Sequence, residues 1–81
     1  MIDNDTLEQS LKVCDEISYV KVEGDGYHYQ LTIVSDTFTE KSLVARQQWV
    51  YKKLKDYIVS GSLHAITMKT YTTEEWEKSH G

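Results

Sequence analysis

Proline is absent from this 81-residue chain, cysteine occurs once and glycine only four times. Without proline, breaks between elements must come from glycine and short polar clusters. The single Cys14 cannot form an intrachain disulfide, and there is no Cys-x-x-Cys pair for redox work. Long hydrophobic runs are also missing, and no stretch approaches the ~20 apolar residues that span a bilayer. No basic segment followed by an apolar run opens the sequence, so no signal peptide is expected. A reducing, cytoplasmic setting with no membrane association is the simplest expectation. Positive charge is in deficit: 9 Lys and Arg face 13 Asp and Glu, giving a net charge of −4. That balance argues against a general nucleic-acid-binding protein, because phosphate attraction normally needs a basic surface. Finally, no nucleophile–histidine–acid constellation and no glycine-rich phosphate loop is visible, so no enzyme is expected.

What is present reads as one folded domain over residues 1–81, with its core at about 5–78. A chain of this size buries a modest core, too small to enclose a deep catalytic cavity. The first helix is expected from about Asp5 to Glu16, capped by Asp5 or Thr6. Leu7, Leu11 and Cys14 fall on one stripe, which makes Cys14 a small core residue. Ile17 to Glu23 suits a strand, and Gly24-Asp25-Gly26 signals a tight hairpin. The second strand runs from Tyr27 to Ser35. Tyr27, Tyr29, Leu31 and Ile33 form its buried face, and His28 points to the open one.

A polar connection around Phe38 follows, with Phe38 plugging into the core. A long helix is then expected from about Ser42 to Val59, capped by Ser42 and stopped by Gly61. Its apolar stripe is Leu43, Val44, Val50, Tyr51, Leu54 and Ile58, with Lys52, Lys53 and Lys55 solvated. Leu63 to Thr70 is the third strand, with His64, Ile66 and Met68 on one face. Thr72-Thr73-Glu74-Glu75 is a Thr-x-x-Glu capping box that opens a short helix, whose Trp76 folds over the core edge. The order is α-β-β-α-β-α, an α/β (α+β) architecture with a three-stranded sheet covered by helices on one face.

Two histidines, His28 and His64, stand at strand mouths. Imidazole is the commonest metal ligand and titrates near neutrality. The plain alternative is two unrelated polar strand ends. The basic residues Lys41, Arg46, Lys52, Lys53 and Lys55 concentrate in one segment and leave a local basic face open.

An ordered set of residues carries a family resemblance. It comprises Val22 and Gly24-Asp25-Gly26-Tyr27-His28-Tyr29; Val34-Ser35, Phe38, Lys41-Ser42-Leu43-Val44 and Arg46; Val50-Tyr51 and Leu54; and His64-Ala65-Ile66, Lys69, Tyr71-Thr72 and Glu75-Trp76. Together these resemble the BolA family, above all its IbaG (YrbA) branch, where the hairpin reads Gly-Asp-Gly-x-His-aromatic. The resemblance implies a fold similar to the class II KH domain. It also implies a partner, a monothiol glutaredoxin, with which BolA-like proteins hold a 2Fe–2S cluster. The glutaredoxin supplies its cysteine and a glutathione thiolate. On this chain the histidine opening the third strand would be His64. The other ligand comes from the loop between the first two strands, where His28 is the one nitrogen or sulfur donor. The cysteine that some branches carry in this loop would fall near Asp25, which leaves Asp25 or an exogenous group as the alternative. Replacing thiolates by imidazoles on one iron raises its reduction potential.

Two departures are visible. Thr73 stands where the family often has proline, and Arg46-Gln47-Gln48 replaces a frequent Arg-His-Arg, which removes basic character. The expectation is therefore an iron–sulfur adaptor in iron homeostasis or stress response. The alternative is a nucleic-acid-binding transcriptional regulator using Lys41, Arg46, Lys52, Lys53 and Lys55. The Gly-x-x-Gly loop with which KH domains clamp a backbone is missing, so weak DNA binding at most is expected. The same basic face could instead meet an acidic partner, and self-association into a homodimer is left open.

Overall fold

The computed structural model describes residues 2–25, 27–61, 63 and 65–80. The first helix, α1 (Asn4–Lys12), starts one cap earlier than expected: Asp3, not Asp5 or Thr6, accepts the Thr6 N–H at 2.7 Å. Strands β1 (Tyr19–Gly24) and β2 (His28–Val34) form an antiparallel hairpin. A 3-10 turn (Asp36–Phe38) leads to α2 (Leu43–Lys53) and α3 (Lys55–Val59). Strand β3 (Ala65–Tyr71) then pairs parallel to β2, and α4 (Thr73–His80) closes the described chain. The sheet order is β1-β2-β3. Leu7 and Leu11 of α1 and Val50 and Leu54 of the α2–α3 segment pack with Val20, Val22, Tyr29, Leu31 and Ile33, so these helices cover one face of the sheet. The expected architecture is the one found. No helix among the described residues is long and apolar enough to cross a membrane.

Several signals act as anticipated. The Ser42 hydroxyl accepts the Ala45 N–H, and Phe38 is fully buried. Gly61 follows the α3 cap with φ +81°, a left-handed conformation that favours glycine. Thr72 and Glu75 form the reciprocal capping box: Glu75 N–H donates to the Thr72 hydroxyl at 3.1 Å, and Thr72 N–H to the Glu75 carboxylate at 2.9 Å.

Other readings are corrected. The long helix breaks at Leu54, whose N–H is shared between the Val50 and Tyr51 carbonyls. The redirected turn carries Tyr57 back to α1, where its hydroxyl meets that of Ser10 at 2.5 Å. The rotation of α2 also differs. Val50 and Leu54 are buried, whereas Leu43, Val44, Tyr51 and Ile58 are exposed. Two larger anchors set the helix: Trp49 packs edge-on against Phe38, and Arg46 reaches inward over the Phe38 ring. Cys14 is half-buried and lies beyond the end of α1, with its sulfur 3.7 Å from Glu16, so it is not a core residue. Tyr27 is exposed because it precedes β2 and its N–H is tied to Asp25 in the turn. Trp76 does not cover the core edge. It stacks on Tyr19 and meets Tyr71 edge-on, with ring centroids 5.1 and 5.3 Å away, on the sheet face opposite α1 and α2, where Val34 lies between those two tyrosines in the register.

Candidate metal-ligand site at the hairpin end of the sheet

His28 opens β2, and its side chain is 80% exposed. Alternation places Tyr29, Leu31 and Ile33 in the core, which turns His28, Gln30 and Thr32 to the open face. The turn that presents it is built locally. One Asp25 carboxylate oxygen accepts the N–H of Tyr27 and that of His28, both at 2.9 Å. These hydrogen bonds, His28's foremost, hold the Asp25 carboxyl below its ordinary range. Asn4 of α1 donates to the Gly24 carbonyl at 3.3 Å and so ties the hairpin to the first helix. Gly24 itself has φ +154°, and a Cβ there would meet the His28 carbonyl oxygen at 2.2 Å. Only glycine fits.

The His28 Nδ1 stands 4.0 Å from the Asp25 carboxylate, a contact that becomes an ion pair when the ring is protonated. Beside it a hollow of about 490 Å³ opens between Glu23, Gln30 and Thr67. The parallel register sets His28 opposite Ala65, the residue that follows His64 in the sequence. His64 itself lies outside the described residues. Among the described residues no three His, Cys, Asp or Glu side chains converge to hold a metal ion. His28 offers an imidazole nitrogen reachable from outside, and binding there breaks no buried hydrogen bond of the fold.

A family model described as "BolA-like protein" matches residues 3–75. The chain belongs to the BolA-like family. It is 35% identical over 77 residues to the acid stress protein IbaG of Escherichia coli K12, covering 95% of this chain and 92% of that one. It is 26% identical to the DNA-binding transcriptional regulator BolA of the same organism, covering 95% and 82%. Among solved structures, a bolA protein homologue from Coxiella burnetii superposes with a TM-score of 0.83 at 29% identity, covering 95% of this chain and 99% of that one.

In this BolA-like chain the five basic residues do not act alike. The Arg46 side chain is only 13% exposed and is held by Glu75 at 2.7 and 3.1 Å and by the carbonyls of Thr70 and Lys41. Arg46 is thus a clamp joining α2, β3 and α4. Its guanidinium, with the Thr72 N–H second, draws the Glu75 carboxyl down to about 2. Lys41 donates to the Thr37 carbonyl at 2.7 Å. Lys53 lies 3.9 Å from Glu16 and over the Trp49 ring. Lys52 and Lys55 are exposed on the outer side of the helices. The capping box was legible in four consecutive residues. The clamp was not, because Arg46 and Glu75 are 29 positions apart and nothing local links them.

Proposed function

We propose that this BolA-like protein is an iron–sulfur adaptor that binds a monothiol glutaredoxin and co-ligates a 2Fe–2S cluster with it and glutathione. The observation that carries this reading is the presentation of His28. Its imidazole is uncommitted to the fold, sits at the mouth of β2, and its register partner Ala65 adjoins His64 in the chain. The family resemblance supports the choice of partner class. His28 and His64 would be the two imidazole ligands. When bound, the cluster supplies an iron site whose affinity falls on acidification, because imidazole must be neutral to bind. The likeness to a protein named for acid stress supports a role in stress response or iron homeostasis. What this chain's own residues do is hold the donor: Asp25 fixes the turn through two N–H groups, and Gly24 permits the approach of the His28 carbonyl.

The test is to mix the purified chain with a cluster-loaded monothiol glutaredoxin and follow visible circular dichroism. A new heterocomplex spectrum is expected. It should be lost in His64→Ala and altered in His28→Ala, while far-UV signals stay native. A heterocomplex spectrum unaffected by both substitutions rejects the assignment. If His64→Ala alone acts, Asp25 or an exogenous group is the second ligand.

A second reading, a nucleic-acid-binding regulator, is favoured by the relative that carries that name and by the exposed Lys52 and Lys55. It is weakened by Arg46 and Lys53, which are engaged within the chain. With few phosphates neutralised, DNA binding should fade steeply between about 50 and 200 mM salt.

A further inference from the structure

The outer face of α2 and α3 carries an anomaly that the hairpin site does not use. Leu43, Val44, Tyr51, Ile58 and Val59 are exposed by 37% to 75%. Val44, Gln48 and Tyr51 follow at spacings of four and three on α2 and so share one stripe, and beyond the break at Leu54 Lys55 lines the same hollow as Gln48 and Tyr51. More large apolar side chains of this segment face outward than are buried in the core, where Val50 and Leu54 lie. Contiguous apolar surface with a polar rim marks interaction sites on monomers. A shallow hollow of about 320 Å³ opens at the centre of the stripe, lined by Tyr51, Gln48 and the stems of Lys52 and Lys55.

The charge around the stripe identifies the occupant. Lys52 and Lys55 have no ion-pair partner among the described residues. The one acid of the two helices, Asp56, faces the groove against α1 together with Lys53 and Tyr57. The outer face therefore sets exposed apolar side chains around Tyr51 directly beside the unpaired cations Lys52 and Lys55. A second copy of this chain related by a two-fold axis near Tyr51 would set lysine against lysine. An amphipathic helix whose apolar ridge is flanked by Asp or Glu would satisfy both features.

We propose that the outer face of α2–α3 is a docking surface for an acidic amphipathic helix of a partner protein, with Tyr51 as the central anchor and Lys52 and Lys55 as the charge selectors. This surface is separate from His28 and stands whether or not a cluster binds there.

The experiment uses the full chain, isotopically labelled, and two synthetic helical peptides of about 18 residues, five turns in length. One carries Leu at three–four spacing flanked by Glu, the other the same Leu pattern flanked by Lys. Amide shift changes confined to residues 43–59 and saturable binding are expected with the Glu peptide alone. Tyr51→Ser should weaken binding roughly tenfold, as loss of an aromatic anchor does. Lys52→Glu with Lys55→Glu should transfer the preference to the Lys peptide. All these positions are exposed, so the variants should keep native far-UV spectra. Equal binding of both peptides, shifts spread over other elements, no binding at all, or concentration-dependent dimerisation abolished by Tyr51→Ser would each overturn the proposal, the last in favour of self-association.

Discussion

At the end of the sheet where β2 and β3 finish, polar side chains are bound to one another. Arg46 grips Glu75 and two backbone carbonyls, Glu75 closes the capping box with Thr72, and the Ser35 hydroxyl bonds the Glu16 carbonyl at 2.6 Å. At the end where the same strands begin, His28 projects into solvent from a turn held by Asp25 and by the Asn4 bond to Gly24, with no part taken by the imidazole itself among the described residues. Both ends contain residues that a sequence reader would pick as functional. The difference lies in commitment: a donor already satisfied inside the fold holds elements together, and an unsatisfied one is available to a ligand. Substitutions at the closed end should therefore register in stability and those at the hairpin end in ligation.

The largest effect is expected from Phe38→Ala. Phe38 is fully buried, meets the Trp49 edge at 5.4 Å and lies under Arg46. The cavity should cost about 3–5 kcal/mol, read from urea unfolding. A loss below about 1 kcal/mol would mean that the closed end relaxes freely, and the comparison would lose its structural side.

Arg46→Ala comes next. It removes the hydrogen bonds to Thr70 and Lys41 and both bonds to Glu75. A cost of about 2 kcal/mol is expected, since bonds to charged groups contribute more than neutral ones. The pH dependence has a definite sign. The Glu75 folded value of about 2 lies below its ordinary 4.5, so its contribution is present above pH 4.5 and is lost as pH falls toward 2. The carboxylate is half exposed, so solvent screening reduces the loss below the full linkage value. Arg46→Ala should flatten the stability profile in that acid window and leave its slope above pH 5 unchanged. A wild-type profile as flat as the variant's would show that the clamp contributes nothing.

The closed end also explains what could be read in the sequence. The caps at Ser42 and Thr72, the stop at Gly61 and the burial of Tyr29, Leu31 and Ile33 along β2 depend on residues within four positions of each other and stand as anticipated, whereas Tyr27 and Val34 at the two ends of that strand do not follow the expected alternation. The rotation of α2 was not legible, because Leu43, Val44 and Tyr51 fit helical spacing as well as Val50 and Leu54 do. The choice between the two faces is made by Trp49 on Phe38 and Arg46 on Glu75, contacts across the tertiary fold. Cys14 fits the α1 stripe by spacing, yet the chain leaves the helix after Lys12 in order to reach β1. Which face Trp76 would cover depends on where Tyr19 and Tyr71 meet, and that is set by strand pairing. At the candidate site the exposure of His28 followed from strand parity, whereas the parallel β2–β3 register that sets it against Ala65 did not.

Gly24→Ala should fall between the two extremes. Its positive φ and the 2.2 Å approach of a Cβ to the His28 carbonyl force the hairpin to shift. A cost of about 1–2 kcal/mol is expected, with amide shifts concentrated at β1–β2. The same variant should weaken the glutaredoxin heterocomplex, because the turn that positions His28 is displaced. Retention of the full heterocomplex spectrum would separate hairpin geometry from ligation.

The smallest effect on stability, and the sharpest contrast with Arg46, is expected from His28→Ala. The ring is 80% exposed, and among the described residues its polar neighbour is Asp25 at 4.0 Å. The backbone N–H of His28 that fixes Asp25 remains in the variant, so the turn should persist. Surface substitutions of this kind stay within about 0.5 kcal/mol, which for a domain of this size moves the melting temperature by about 4 °C or less. Thermal melts of His28→Ala and Arg46→Ala run side by side therefore read the two ends of the sheet directly. If His28→Ala melted as low as Arg46→Ala, the imidazole would be a structural group, and the contrast between the two ends of the sheet would be lost.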